Sequence, residues 1–145
     1  MINHYRGLER MYLLAPYNQQ LYDQTTISVS EGQAVITTLV NKRHFHGAGS
    51  MHGSCYFRML DDAAFFAVNS LVSDYMVYTA SFELKLTRPV SGGIIKSVGK
   101  IKHCSEKMYI AEAILYDEQE RVCALGTGKF MKSNILVNEI PGYLK

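Results

Sequence analysis

SCYFRMLDDAAFFAVNSLV, residues 54–72, decides the fold. Wound as a helix, this stretch carries apolar side chains on almost every side, the pattern of a helix buried over most of its surface. At ~100° per residue, Arg58, Asp62 and Asn69 share one narrow polar face. Arg58 and Asp62 are i,i+4 partners there, worth roughly 0.2–0.5 kcal/mol at an exposed site. Asp61 lies about 60° off that stripe, toward apolar neighbours. It is the one charge of the helix left without an evident partner.

Such a helix must be covered, and the flanking sequence reads as strands. Residues 25–30 and 34–41 are rich in Val, Ile and Thr and are split by Glu31-Gly32-Gln33, a hairpin turn. Residues 77–88 alternate, with Ala80, Phe82, Leu84 and Leu86 set against Thr79, Ser81, Glu83, Lys85 and Thr87. Pro89 and Ser91-Gly92-Gly93 punctuate the end of that run. Residues 94–103, 108–116 and 122–131 supply three further strands, the last two joined through Asp117-Glu118-Gln119-Glu120. Short turns between consecutive strands predict antiparallel pairing. Upstream, Leu8, Met11 and Leu14 recur at helical spacing before Pro16, which predicts one or two helical turns over 5–14 on the outside of the fold. Residues 133–145 carry no strong pattern. The expectation is an α+β fold in which an antiparallel sheet curls round one long helix.

The chain has 145 residues, the size of one domain, with a core over about 5–132 and a short tail over 133–145. Hydrophobic residues make up 48% and charged residues 19%, which argues against disorder. Fifteen Lys and Arg against 13 Asp and Glu leave a net charge of +2, with no basic stripe to bind nucleic acid. Cys55, Cys104 and Cys123 are odd in number, widely spaced and without a CxxC pair, which points to a reducing compartment. Glu9 and Arg10 interrupt the apolar run that a signal peptide needs, and no stretch reaches the ~18 apolar residues of a membrane span. A cytoplasmic protein without membrane or nucleic-acid partners is expected.

The loop HFHGAGSMHGS, residues 44–54, runs into the start of the long helix. A helix N-terminus presents free backbone N–H groups and a partial positive charge, suited to an anion or a developing oxyanion. A glycine at 53 lets a substrate carbonyl approach the backbone, though the glycines of this loop can equally serve only the turn. Asp61 is likewise open to two readings. Buried without a cation it is a candidate general base or nucleophile; alternatively it leans on Arg58 or reaches water. Gly53 and Asp61 are eight residues apart, so the helix separates them by ~12 Å. A reacting carbonyl must lie ~3 Å from both its oxyanion donor and its attacker. If both residues act, they come from different subunits, and two antiparallel helices across a two-fold axis would place each Asp61 opposite a partner's Gly53.

The segments HGSCYFRMLDDAAFFAVNS (52–70), TASFELKLTRPVSGG (79–93) and VCALGTGKF (122–130) together resemble the hot dog fold thioesterases, specifically the phenylacetate-type acyl-CoA thioesterase group. The resemblance spans about 5–132 and rests on the His-Gly to Asp spacing combined with the Arg-Pro-x-x-Gly segment. It implies a hot dog fold and an acyl-CoA thioesterase that needs no cofactor and no metal. It also implies self-association as a homodimer, extending to a dimer of dimers. By position, Gly53 would donate its N–H to the thioester oxygen and His52 would fix the loop that aims it. Asp61 of the other subunit would be general base or nucleophile, Thr79 would hold the attacking water, and His46 would contact the same carbonyl.

His46 stands where relatives commonly carry Asn, and Ser54 adds a side chain where they have a second Gly. The loop Ser105-Glu106-Lys107 lacks a Gly that relatives often have. Tyr56, Leu60, Ala64 and Phe65 offer apolar walls for an acyl group. Arg88, Lys96, Lys102, Lys107 and Lys129 are the cations available to the phosphates of coenzyme A, with Arg88 in the Arg-Pro-x-x-Gly segment itself. Three competing readings follow: a non-catalytic acyl- or CoA-binding hot dog protein, a metal site built from His44, His46 and His52, and a Cys55 nucleophile.

Overall fold

A computed structural model describes residues 2–145. One six-stranded antiparallel sheet wraps a central helix. The chain order is α1 (Ile2–Leu14), α2 (Pro16–Leu21), β1 (Thr25–Ser30), β2 (Gln33–Val40), α3 (Gly53–Asn69), β3 (Tyr75–Leu86), β4 (Gly93–Cys104), β5 (Met108–Tyr116) and β6 (Val122–Leu136). The spatial order is β1-β2-β4-β5-β6-β3.

The predicted elements are present, with four differences of detail. First, α1 is three turns long rather than one or two, and a second helix follows it with Pro16 at its start. His4 ties the first turn of α1 to α3: its Nε2 lies 2.8 Å from the Asn69 carbonyl and its Nδ1 2.7 Å from the Tyr143 hydroxyl. Second, β3 and β4 are consecutive but do not pair. β4 joins β2, while β3 lies beyond β6 at the far edge. The 87–92 connection makes this crossing possible: it is held at Met51, whose N–H donates to the Val90 carbonyl, and at Tyr56, whose hydroxyl donates to the Arg88 carbonyl. Third, β6 runs to Leu136, and the patternless tail docks on α1, where Arg10 donates to the carbonyls of Gly142 and Tyr143 at 3.0 and 2.6 Å.

The fourth difference concerns the polar face of α3, which is buried rather than solvated. Arg58 is only 3% exposed because α1 and α2 lie over it. Its guanidinium donates to Thr38, Asn18 and Thr25, stacks 3.9 Å over the Tyr22 ring and lies 3.5 Å from Asp62. Asp62 in turn accepts from the Tyr12 hydroxyl at 2.7 Å. The opposite face of α3 is lined by Ala63, Ala64 and Ala67, all fully buried against the sheet. A Cβ built at Gly99 of β4 would come within 2.2 Å of the Ala63 carbonyl oxygen, so helix and sheet approach to a distance only glycine permits.

Candidate active site

The loop before α3 is a compact turn. The His46 N–H donates to the Ser50 carbonyl and the Gly49 N–H to the His46 carbonyl, with Gly49 at φ +90°. His52 caps α3: its Nδ1 accepts from the Ser54 N–H at 3.0 Å and lies 2.9 Å from the Ser54 hydroxyl. Gly53, the first helical residue, opens onto a cleft of about 420 Å³ lined by His46, Ser50, Tyr56, Leu86 and Arg88. Neither φ nor packing within the protomer demands glycine at 53, since a Cβ there would meet nothing nearer than Leu86 at 4.0 Å.

Two turns further along α3, Asp61 accepts a 2.8 Å hydrogen bond from the Thr79 hydroxyl of β3. Burial pushes its carboxyl above the ordinary carboxylate range, and the Thr79 bond pulls in the opposite direction without cancelling the shift. Asp62 is pushed to about 6, again mainly by burial, with Tyr12 and Arg58 opposing. The two neighbouring carboxylates therefore have separate surroundings: Asp61 belongs to β3, and Asp62 to the buried Arg58 network.

Thr79 reaches Asp61 because β3 does not keep its alternation. Thr79 pairs with Phe130 and Ser81 with Lys129, so Ala80 is an extra residue in the strand. This bulge turns Thr79 to the inner face that Phe82, Leu84 and Leu86 occupy, whereas strict alternation sets it on the opposite face.

The sequence model of the Thioesterase superfamily matches residues 48–124, just over half of the chain, from the loop into the start of β6. The chain belongs to this superfamily. The acyl-coenzyme A thioesterase PaaI of Escherichia coli (strain K12) is 26% identical over 104 residues, 71% of this chain and 73% of that protein. The solved structure of the E. coli PaaI protein from the phenylacetic acid degradation operon superposes with a TM-score of 0.83 at 22% identity, covering 93% of this chain and 96% of that one. A mutant of the phenylacetic acid degradation protein PaaI from Thermus thermophilus gives 0.72 at 20% identity, covering 81% and 99%. The fold is therefore the PaaI-like hot dog fold of this thioesterase superfamily.

Within this thioesterase fold the residues singled out from sequence divide into groups. His46, Gly53, Tyr56 and Arg88 meet at one cleft. Asp61 and Thr79 meet at a separate place in the same protomer. His52 and Ser54 face a different cavity of about 290 Å³, shared with Tyr22, His44 and Cys55. Leu60 and Ala64 are fully enclosed in the core, and half-buried Phe65 packs edge-on against Phe130. No carboxylate pairs with Arg88 among the described residues, whereas Lys96 and Lys102 pair with Glu120 and Glu112. His44 is buried with its Nδ1 accepting from the Asn41 N–H and its Nε2 against the Leu21 carbonyl, so it does not join His46 and His52. Cys55 is buried with its sulfur 3.1 Å from the Tyr22 hydroxyl. Leu86 is a cleft residue that the sequence analysis left unassigned, although its place on β3 just before Arg88 and Pro89 was a usable signal. No helix among the described residues is long and apolar enough to cross a membrane.

Proposed function

We propose that this thioesterase-superfamily chain hydrolyses an acyl-CoA thioester to a free acid and coenzyme A, as a homodimer in the cytoplasm whose sites each combine Gly53 of one subunit with Asp61 of the other. One observation carries this reading. Strand β3 holds Thr79, against Asp61, in its first half and Leu86, beside Gly53, at its last residue. It is also an edge strand, with an unpaired side among the described residues and with Tyr78 and Leu86 49% and 51% exposed. A long apolar edge strand is a template for pairing with another chain. Antiparallel pairing of two β3 strands about a two-fold axis would bring the Thr79 end of one against the Leu86 end of its partner. The Asp61 of one chain would then face the Gly53 cleft of the other, closing the ~12 Å gap that the helix imposes within one chain.

In such a site the Gly53 N–H, at the positive end of α3, polarises the thioester carbonyl and stabilises the oxyanion. His46 supplies a second donor from its ring, and His52 holds the loop by capping the helix. Asp61 takes a proton from a water that Thr79 helps to hold, and that water adds to the carbonyl carbon. Collapse of the tetrahedral adduct breaks the C–S bond, and the departing sulfur takes the proton held by Asp61 and leaves as the thiol of coenzyme A, which restores the carboxylate. Direct attack by the carboxylate is the other route open to the same residue. Tyr56 and Phe65 line the acyl side, with Leu60 and Ala64 behind them. Ser54 and the unpaired Arg88 serve the coenzyme end. The name of the E. coli relative supports acyl-CoA as the substrate class. A further association into a dimer of dimers belongs to the same proposal.

The test is thiol release from a panel of acyl-CoAs by the wild type and by Asp61→Asn. Turnover by the wild type and its loss in a folded Asp61→Asn protein is the expected result. Full activity of the variant rejects the assignment, and binding without thiol release favours a non-catalytic binding protein.

A further inference from the structure

We propose that Asn69 is a positioning residue for the reaction, setting where Thr79 stands against Asp61. The proposal rests on the reading of Asp61 given above. Between the β3 and β6 strands, Val77, Tyr78 and Thr79 pair in step with Lys132, Met131 and Phe130 as a separate group; the register slips on both sides of it, between Tyr75 and Val77 and again between Thr79 and Ser81. A three-residue island bounded by two slips has no continuous ladder to hold it in place. Side chains reinforce that short ladder.

Asn69 is fully buried at the end of α3, and each of its polar atoms is used. Its Oδ1 accepts from the Val77 N–H at 2.9 Å. Its Nδ2 donates to the Val72 and Tyr75 carbonyls at 3.0 and 3.1 Å. The other half of the 76–77 peptide is taken by Ser133 of β6, whose hydroxyl donates to the Met76 carbonyl at 2.6 Å. Both polar groups of this peptide are thus gripped by side chains, two residues before Thr79. Asp61 and Asn69 lie eight residues apart on one helix, a rigid spacer of ~12 Å. Side chains of that helix hydrogen-bond to β3 at two places, the Tyr75–Val77 backbone and the Thr79 hydroxyl, and the first fixes the phase of the second. His4, at the Asn69 carbonyl, ties the same helix end to α1 and to Tyr143.

The groups around Asp61 make the consequence readable. From α3 they are Arg58 and Asp62, already paired with each other; from α1, Tyr12, which is bonded to Asp62; and from β3, Thr79. Glu83, Lys85 and Lys129 alternate onto the other face of the sheet, and Lys132 pairs with Asp74. Thr79 is the one hydrogen-bond donor on Asp61 among the described residues. Loosening the 76–77 peptide therefore acts on Asp61 through Thr79.

The experiment compares the wild type, Asn69→Ser, Ser133→Ala, Thr79→Val and the Asn69→Ser/Thr79→Val double variant. It reads kcat and KM for an acyl-CoA, the pH dependence of kcat/KM, and the titration of the Asp61 carboxyl carbon by 13C NMR. Asn69→Ser should lower kcat about tenfold with little change in KM, as expected for lost orientation. It should move the acidic limb and the Asp61 titration to higher pH, and Ser133→Ala should do the same to a smaller extent. In the Thr79→Val background Asn69→Ser should move neither any further. A merely structural role would lower the thermal midpoint in both backgrounds and leave the Asp61 titration where it is in the wild type; that outcome, or additive effects in the double variant, overturns the proposal. If Asn69→Ser does not fold, Ser133→Ala decides by the same criteria. The NMR titration does not depend on turnover, so an active Asp61→Asn protein would reject the catalytic reading while the positioning of Thr79 is still judged on its own.

Discussion

The Thr79 hydroxyl donates a 2.8 Å hydrogen bond to Asp61 Oδ1, joining the edge strand of the sheet to the middle of the central helix. A bond to the charged form of a carboxyl favours ionisation, and here it opposes the effect of burial. Thr79→Val removes it and keeps the shape. The acidic limb of kcat/KM should move to higher pH, and the plateau should fall about tenfold or more as the attacking water loses a partner. The pH–rate profile of the variant checks both.

Asp61→Asn should make the protein more stable at neutral pH while abolishing turnover. The sign follows from linkage. The folded-state carboxyl is raised above its unfolded value, so the folded state binds the proton more tightly, and stability declines as pH rises from the unfolded toward the folded value. Asn never takes on the charge and avoids that decline, and its side-chain oxygen can still accept from Thr79. Urea midpoints of the two proteins should therefore separate near pH 7.5 and converge below about pH 4, near the unfolded carboxyl value. Equal midpoints at both pH values would contradict the burial of this carboxyl.

Gly53→Ala should separate folding from activity. The new methyl has 4.0 Å of clearance within the protomer, and alanine is the better helix former by up to about 1 kcal/mol. Thermal stability should hold or rise. Activity should fall at least tenfold, because the methyl stands where a carbonyl must reach the backbone N–H. A fully active Gly53→Ala enzyme would remove Gly53 from the site.

Mixing two inactive variants tests the shared site directly. A heterodimer of Asp61→Asn and Gly53→Val chains contains one intact pair, the Gly53 of the first with the Asp61 of the second, and one doubly altered pair. Random exchange of subunits makes half the dimers mixed, so about one quarter of wild-type activity should return for a two-fold arrangement. No recovery after subunit exchange, verified by mass spectrometry, would place both residues of each site in one chain or reject one of them.

Gly99→Ala is the structural control. Its methyl would be driven into the Ala63 carbonyl, forcing α3 off β4. A loss of about 1–3 kcal/mol in urea unfolding is expected, the usual cost of overpacking a filled core.

Much of this was legible in the sequence. The burial of α3 follows from apolar residues on all its sides, and the six strands follow from alternation and turn residues, because both are local periodicities. The spacing from Gly53 to Asp61 calls for two chains if both residues act in one site, since a helix is a ruler. The cover over the polar face of α3 was not legible: Arg58, Asp62 and Asn69 form a stripe in sequence, yet α1 and α2 bury its start and the first residues of β3 wrap Asn69. Nothing local announces that cover.

By itself the sequence singled out the candidate residues for the chemistry, because residue type and helical spacing are written along the chain. Only the tertiary structure decided how they face each other. It moved β3 away from β4 to a sheet edge, where one side of the strand is unpaired among the described residues and Tyr78 and Leu86 are exposed. It inserted Ala80 as a bulge and so turned Thr79 inward to Asp61, against the alternation of its own strand. The reason is physical. Strand order and bulges are set by which distant backbone groups find partners, here Phe130 and Lys129 of β6 and the side chain of Asn69, and that pairing has no signature within a window of a few residues.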